Sequence, residues 1–294
     1  MSKIAFIFPG QGAQVCGMGQ DFYEQTETGK QVFDTATEIL GFSMPELCFE
    51  KNDRLDITEY TQPAMVTASL AMMKVLMERT GIKPDAAAGL SLGEYPAMAA
   101  AGVMSVEDAI RTVRQRGILM QEAVPAGIGA MAAVLAMDAE EIERVIEPIE
   151  GVQIANYNCP GQIVISGSIE GINKACELMK AAGAKRALPL KVGGAFHSPL
   201  MNPAKVELEA AINATEIHAP KCPVYQNVDA MPHTDPVEIK KNLVAQLTAS
   251  VRWTQTVKNM VADGATDFTE CGPGAVLQGL IKKIAPEATA HGIA

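Results

Sequence analysis

A serine between two glycines, Gly89-Leu90-Ser91-Leu92-Gly93, follows the small apolar run 86–88 and opens the helix-compatible segment 91–101. A strand that ends this way and turns at once into a helix brings its two arms so close that only glycine fits beside the turn. Such a turn holds its serine at a strained backbone angle with the hydroxyl exposed, and the first amides of the helix favour an oxyanion there. The pattern therefore predicts an α/β fold with a candidate nucleophile at Ser91. Five residues of this kind also recur by chance as an ordinary turn, so the function must rest on further residues.

The chain has 294 residues, 48% of them hydrophobic, enough for one large domain or one large domain with a smaller insertion. A formal charge of -10 and the lack of a basic run argue against nucleic acid as a partner. No apolar run approaches the roughly 20 residues of a membrane span, and no charged and then apolar leader opens the chain. The expectation is a cytoplasmic protein with no membrane association. Six scattered cysteines, without C-x-x-C or paired histidine spacing, point to no metal site and no disulfide framework, and are expected to be reduced and buried.

Residues 3–8 (KIAFIF) read as a buried first strand, followed by Pro9-Gly10-Gln11-Gly12. A dinucleotide fingerprint is excluded, because Val15 stands where its third glycine is needed. Helical patterns cover 22–40, 63–80 and 106–123, the last capped by Ser105 with Glu107 and Asp108 in its first turn. Strands at 130–135, 152–156, 162–166 and 185–192 then alternate with helices at 139–149 and 172–182, the β-α-β-β-α-β order of a ferredoxin-like unit. Helices follow at 204–213, 236–248, 254–263 and 274–284, with strands at 224–227 and 266–270. The expected architecture is α/β: a hydrolase-like large domain with a parallel sheet, from 1–127 and 197–294, and an inserted ferredoxin-like α+β subdomain at 128–196.

A serine nucleophile needs a base. His218 and His233 sit in proline-flanked connections and His291 in an Ala/Gly-rich tail, so all three read as solvent-exposed. His197 lies where the chain leaves the small unit, ahead of Ser198-Pro199 and Asn202-Pro203, two N-cap pairs, and a helix start disfavours the imidazolium. Alone it reads as a structural histidine; beside a serine elbow it reads as a general base. Asp108 and Asp138 fall at helix starts where capping explains them, which leaves a dyad whose histidine is oriented by a backbone carbonyl or an amide side chain. On the helix over 106–123, Arg116 projects beside the apolar stripe and Arg111 nearly opposite it, so Arg116 is the semi-buried arginine. A buried guanidinium calls for a carboxylate, either an internal ion pair or a substrate.

FPGQGAQ (8–14), TQPA (61–64), GLSLGEY (89–95), QRG (115–117), GQIVISG (161–167), GAFHSPLM (194–201), QL (246–247) and GPG (272–274) together resemble the malonyl-CoA:acyl carrier protein transacylase family, which shares its fold with acyltransferase domains of fatty acid and polyketide synthases. The resemblance spans nearly the whole chain. It implies that Ser91 is acylated and that His197 is the base in both half-reactions. It further implies that the Gln246 carbonyl orients this histidine, that the Gln11 and Leu92 amides form the oxyanion hole, and that Arg116 clamps the malonyl carboxylate. Phe196 would fill the space of a branch methyl, and Asn158 would line the cleft. One departure is Leu90, where the family usually has histidine; neighbouring the nucleophile, it should alter packing and not chemistry. The expected activity is malonyl transfer from coenzyme A to acyl carrier protein in fatty acid biosynthesis, a ping-pong route through malonyl-serine with no metal or cofactor, by a monomer. A polyketide-pathway malonyl acyltransferase, a serine hydrolase or thioesterase, and a non-catalytic carrier-binding module are the alternatives.

Overall fold

The computed structural model describes residues 3–124, 127–190 and 194–293. Its strands, in chain order, are β1 (Lys3–Phe8), β2 (Ala86–Gly89), β3 (Gly129–Leu135), β4 (Gln153–Cys159), β5 (Gln162–Ser168), β6 (Arg186–Pro189), β7 (Val224–Tyr225), β8 (Pro232–His233), β9 (Ala265–Glu270) and β10 (Thr289–Gly292). The helices are α1 (Gln20–Gln25), α2 (Glu27–Leu40), α3 (Met44–Phe49), α4 (Thr58–Thr80), α5 (Glu94–Ala100), α6 (Val106–Ala123), α7 (Ala139–Ile146), α8 (Ile169–Ala181), α9 (Asn202–Ala214), α10 (Pro236–Ala245), α11 (Trp253–Ala262) and α12 (Val276–Ile284).

The larger sheet runs β10-β9-β1-β2-β7-β8, parallel throughout except for the β7–β8 hairpin. β1 explains why both faces are covered. Phe6 and Phe8 join Phe33, Leu70 and Val113 in one core, while Ala5 and Ile7 join Trp253, Val257 and Leu277 in the other. A strand buried on both sides reads as a continuous apolar run, as KIAFIF does. The register Phe8↔Gly89 ends β1 and β2 side by side, so the loops that follow them meet.

The smaller sheet runs β4-β5-β3-β6, all antiparallel, with the first and third strands of the unit at its centre, which is the ferredoxin-like order. Helices α7 and α8 bring Ile142, Ile146, Ile172 and Met179 onto one face, against Val134 and Ile165. Its outer strand β4 is stitched to the segment after α10: Val251 N donates to Ala155 O at 2.8 Å and Tyr157 N to Val251 O at 2.9 Å. The fold class read from the sequence holds. Lys191 and Val192, the end of the strand expected over 185–192, lie outside the described residues.

Several expectations are corrected. The helix expected over 22–40 breaks at Thr26, whose extended backbone caps α2 with its side chain accepting from Gly29 N. Helix α4 begins five residues before the Pro63 expected to open it. Proline cannot donate to Glu59 O one turn back, and Arg114 Nη1 donates to that carbonyl instead, so the helix passes through. Asn202 is the first residue of α9 and not its cap, and Asp138 stands at the start of α7 without a side-chain cap bond. The Ala/Gly-rich tail forms the edge strand β10, and Cys16 is exposed, against the expectation of burial, while the other five cysteines are buried.

Candidate active site

Ser91 follows β2 with φ 51, in the left-handed region that side chains avoid. The two glycines of the elbow are dictated by contact. A Cβ on Gly89 would lie 1.9 Å from the Gly93 carbonyl, and one on Gly93 would lie 2.0 Å from Phe8 O. Gly10 is equally tied down, since its Cβ would meet Leu90 O at 2.5 Å. The loop after β1 is thereby pressed onto the elbow, and Gln11, Leu90 and Leu92 line one cleft with Ser91.

His197, with φ 54, closes the other side. Its Nε2 lies 2.6 Å from Ser91 Oγ and its Nδ1 2.9 Å from Gln246 O. A carbonyl only accepts, so Nδ1 carries the proton and Nε2 is left to accept the serine hydroxyl. Gln153 Nε2, from β4, donates to His197 O at 2.6 Å and to Thr248 O at 3.1 Å, which fixes the backbone on both sides of this relay. Burial, and then the charge of Arg116, lower the imidazole to about 4, so it is neutral at physiological pH.

Arg116 is 1% exposed. Gly117 allows this placement, because a Cβ there would meet Thr58 O at 2.9 Å and hold α6 away from the start of α4. The guanidinium donates to Gln62 Oε1 and Gln246 Oε1, each at 3.0 Å, lies 3.5 Å from Ser91 Oγ, and sits over the Tyr95 ring. It forms no ion pair among the described residues. The internal carboxylate that a buried guanidinium calls for is therefore replaced by two neutral amides, which orient the cation without cancelling it.

Phe196 and Asn158 line the same cleft of roughly 200 Å³, with Met120, Met131, Val164 and Leu190 as apolar wall. Asn158 Oδ1 is buried with no hydrogen-bond partner among the described residues. All eight residues singled out by the sequence thus meet here, seven on the cleft wall and Gln246 behind it. Of the other histidines, the side chains of His218 and His291 are 59% and 52% exposed, but that of His233 is only 19% exposed and bonds Asp229 and Asn242, against the expectation of exposure. Sequence reasoning missed Gln62, Asn227 and the elbow's own Glu94. TQPA and GLSLGEY contain Gln62 and Glu94, whereas nothing near Asn227 marks it.

A family model described as an acyl transferase domain matches residues 5–290. A malonyl CoA-acyl carrier protein transacylase of Bacillus subtilis is 50% identical over 289 residues, which cover 97% of this chain and 91% of that protein. Among solved structures, an acyl carrier protein S-malonyltransferase from Vibrio cholerae has a TM-score of 0.96 at 43% identity, covering 99% of this chain and 97% of that one. A malonyl-transacylase in complex with its type II PKS acyl-carrier protein has a TM-score of 0.96 at 41% identity, covering 99% and 96%.

Proposed function

The chain belongs to the acyl transferase domain family, and on that premise we propose that it moves malonyl from coenzyme A to the phosphopantetheine thiol of acyl carrier protein, in fatty acid biosynthesis, through a malonyl ester on Ser91. His197 Nε2 takes the proton of Ser91 Oγ as the oxygen attacks the thioester carbonyl. The C–S bond then breaks, and the imidazolium returns that proton to the coenzyme A sulfur. In the second half-reaction the carrier thiol gives its proton to His197, its sulfur attacks the ester carbonyl, and the proton passes to the departing Ser91 oxygen. The amides of Gln11 and Leu92 hold the oxyanion in both steps. Gln246 keeps the imidazole in its working tautomer through its carbonyl.

One observation carries the reading: Arg116, a buried cation 3.5 Å from Ser91 Oγ, is held by amides and has no ion-pair partner among the described residues. A fixed guanidinium at that distance suits a donor whose acyl group ends in a carboxylate. A simple hydrolase or thioesterase has no use for it. The Phe196 ring fills the space that a branch methyl would take, and Asn158 lines the cleft beside it. Residues 128–196 are taken as an inserted subdomain that forms one wall of the cleft, and residues 1–127 and 197–294 as the catalytic domain. Every group of the site comes from one chain, so a monomer suffices. No helix among the described residues is long and apolar enough to cross a membrane, and the cytoplasm is the proposed location.

The test is intact mass after mixing with malonyl-CoA, methylmalonyl-CoA and acetyl-CoA, followed by addition of carrier protein. Wild type should gain a malonyl adduct that persists in buffer and discharges onto the carrier thiol, and Ser91→Ala should gain none. An adduct on Ser91→Ala, or one that hydrolyses as fast without carrier as with it, would overturn the reading.

A further inference from the structure

A nucleophile held at φ 51 stays there only if its surroundings over-determine it. The glycines permit the turn, but they do not hold it. Asn227, wholly buried, does so from 136 residues away. Its Nδ2 donates to Gly89 O at 2.7 Å, and its Oδ1 accepts from Ser91 N at 2.8 Å. One side-chain amide thus spans the elbow from the last strand residue to the nucleophile. The same Oδ1 accepts from Gln246 Nε2 at 3.3 Å, and Gln246 Nε2 also donates to Ser91 O at 3.0 Å. Both backbone polar groups of Ser91 are therefore bound by two side chains, one of which belongs to the residue that orients His197 and contacts Arg116.

Asn227 is itself anchored. Glu94, wholly buried on the first turn after the elbow, accepts from Asn227 N at 2.7 Å and from Gln226 Nε2 at 3.1 Å. We infer that Asn227, anchored by Glu94, is a positioning residue for acyl transfer, holding the elbow backbone so that the Ser91 oxygen and the Leu92 amide face the carbonyl together. It does not line the cleft, so it acts through Ser91 and not on the substrate. The inference rests on Ser91 being the acylated residue.

The experiment is rapid-quench acylation of the enzyme by malonyl-CoA, read by intact mass across donor concentrations. Asn227→Ala should acylate about a hundredfold more slowly with half-saturation within roughly threefold of wild type, since orientation is lost and binding is not. Glu94→Gln keeps the volume but loosens the anchor, and should slow acylation about five- to tenfold, which carries the test if Asn227→Ala does not fold. Asn259→Ala serves as the stability control, because Asn259 Nδ2 holds Ala230 O in the same loop without touching the elbow. Acylation by folded Asn227→Ala within roughly threefold of wild type would overturn the inference alone, as would an equal slowing by Asn259→Ala at a matched loss of Tm. A wild-type enzyme that forms no adduct would overturn the nucleophile assignment and the inference with it.

Discussion

His197 is 3% exposed and bonded on both ring nitrogens, so its chemistry follows from what surrounds it. Burial and the neighbouring guanidinium lower it from 6.5 to about 4. The kcat/KM for malonyl-CoA should therefore stay flat below neutrality and fall only as the pH nears about 4, and Arg116→Ala should move that limb to higher pH by removing a repelling charge. A wild-type limb at the ordinary histidine value would contradict the buried, neutral base. The same depression has a stability consequence. The unfolded chain takes up the proton first, so the contribution of a neutral His197 is complete above pH 6.5 and is lost as the pH falls through about 4. It is on the order of 3 kcal/mol. Glu94, raised to about 7 by burial, has the opposite sign: its contribution is full below 4.5 and is lost as the pH rises through 7. Leu90, beside Ser91, donates its N–H to Phe8 O and supplies none of the groups proposed as nucleophile, base or clamp. Leu90→His should stay folded with activity within about an order of magnitude of wild type. Lost activity at an unchanged Tm would contradict that.

The elbow works because β1, β2 and α5 converge on backbone with no room for a side chain. Gly93→Ala would drive a methyl to 2.0 Å from Phe8 O, with rigid backbone on both sides, and should cost more than about 3 kcal/mol in urea unfolding. A variant as stable as wild type would show that the strand end yields easily. This part of the molecule was legible in the sequence because it is local: the glycine spacing, the buried apolar run of β1, the strand and helix order of the smaller sheet and the Ser105 cap each sit within a short window. The stripe on α6 also revealed Arg116, since a helix face can be read by periodicity. What escaped was set by distant partners. Thr26 breaks a helical pattern because its side chain caps the next helix, and α4 runs through Pro63 because Arg114 supplies the missing donor. Asn227 meets Ser91 across 136 residues, and Gln62 meets Arg116 across 54, so no window holds either pair. His233 lay among turn residues and looked exposed, but the Asp229 and Asn242 side chains enclose it.

A net charge of -10 repels any acidic partner at long range, so a carrier of that charge would have to be drawn by a local basic surface. Lys174 and Lys180 on α8, Lys185 just before β6 and Arg186 on β6 are exposed and form no ion pair among the described residues, and β6 leads to Leu190 on the cleft wall. Lys191, of the same basic stretch in sequence, lies outside the described residues. Reversing Lys185 and Arg186 to glutamate should raise KM for carrier protein at low salt, with the effect shrinking as salt is added and malonyl-CoA acylation unchanged. Unaltered carrier kinetics at low salt would move the docking surface to the exposed Lys282-Lys283 pair. The proposed chemistry requires Arg116 to act as a clamp beside the Ser91–His197 pair and not as a strut in the core. The deciding measurement is kcat/KM of Arg116→Ala for malonyl-CoA and acetyl-CoA side by side. Malonyl transfer should fall about ten- to a hundredfold while acetyl transfer is kept or gained, because only the first donor loses a charge-assisted pair. An equal fall for both donors would make Arg116 a structural residue and contradict the clamp.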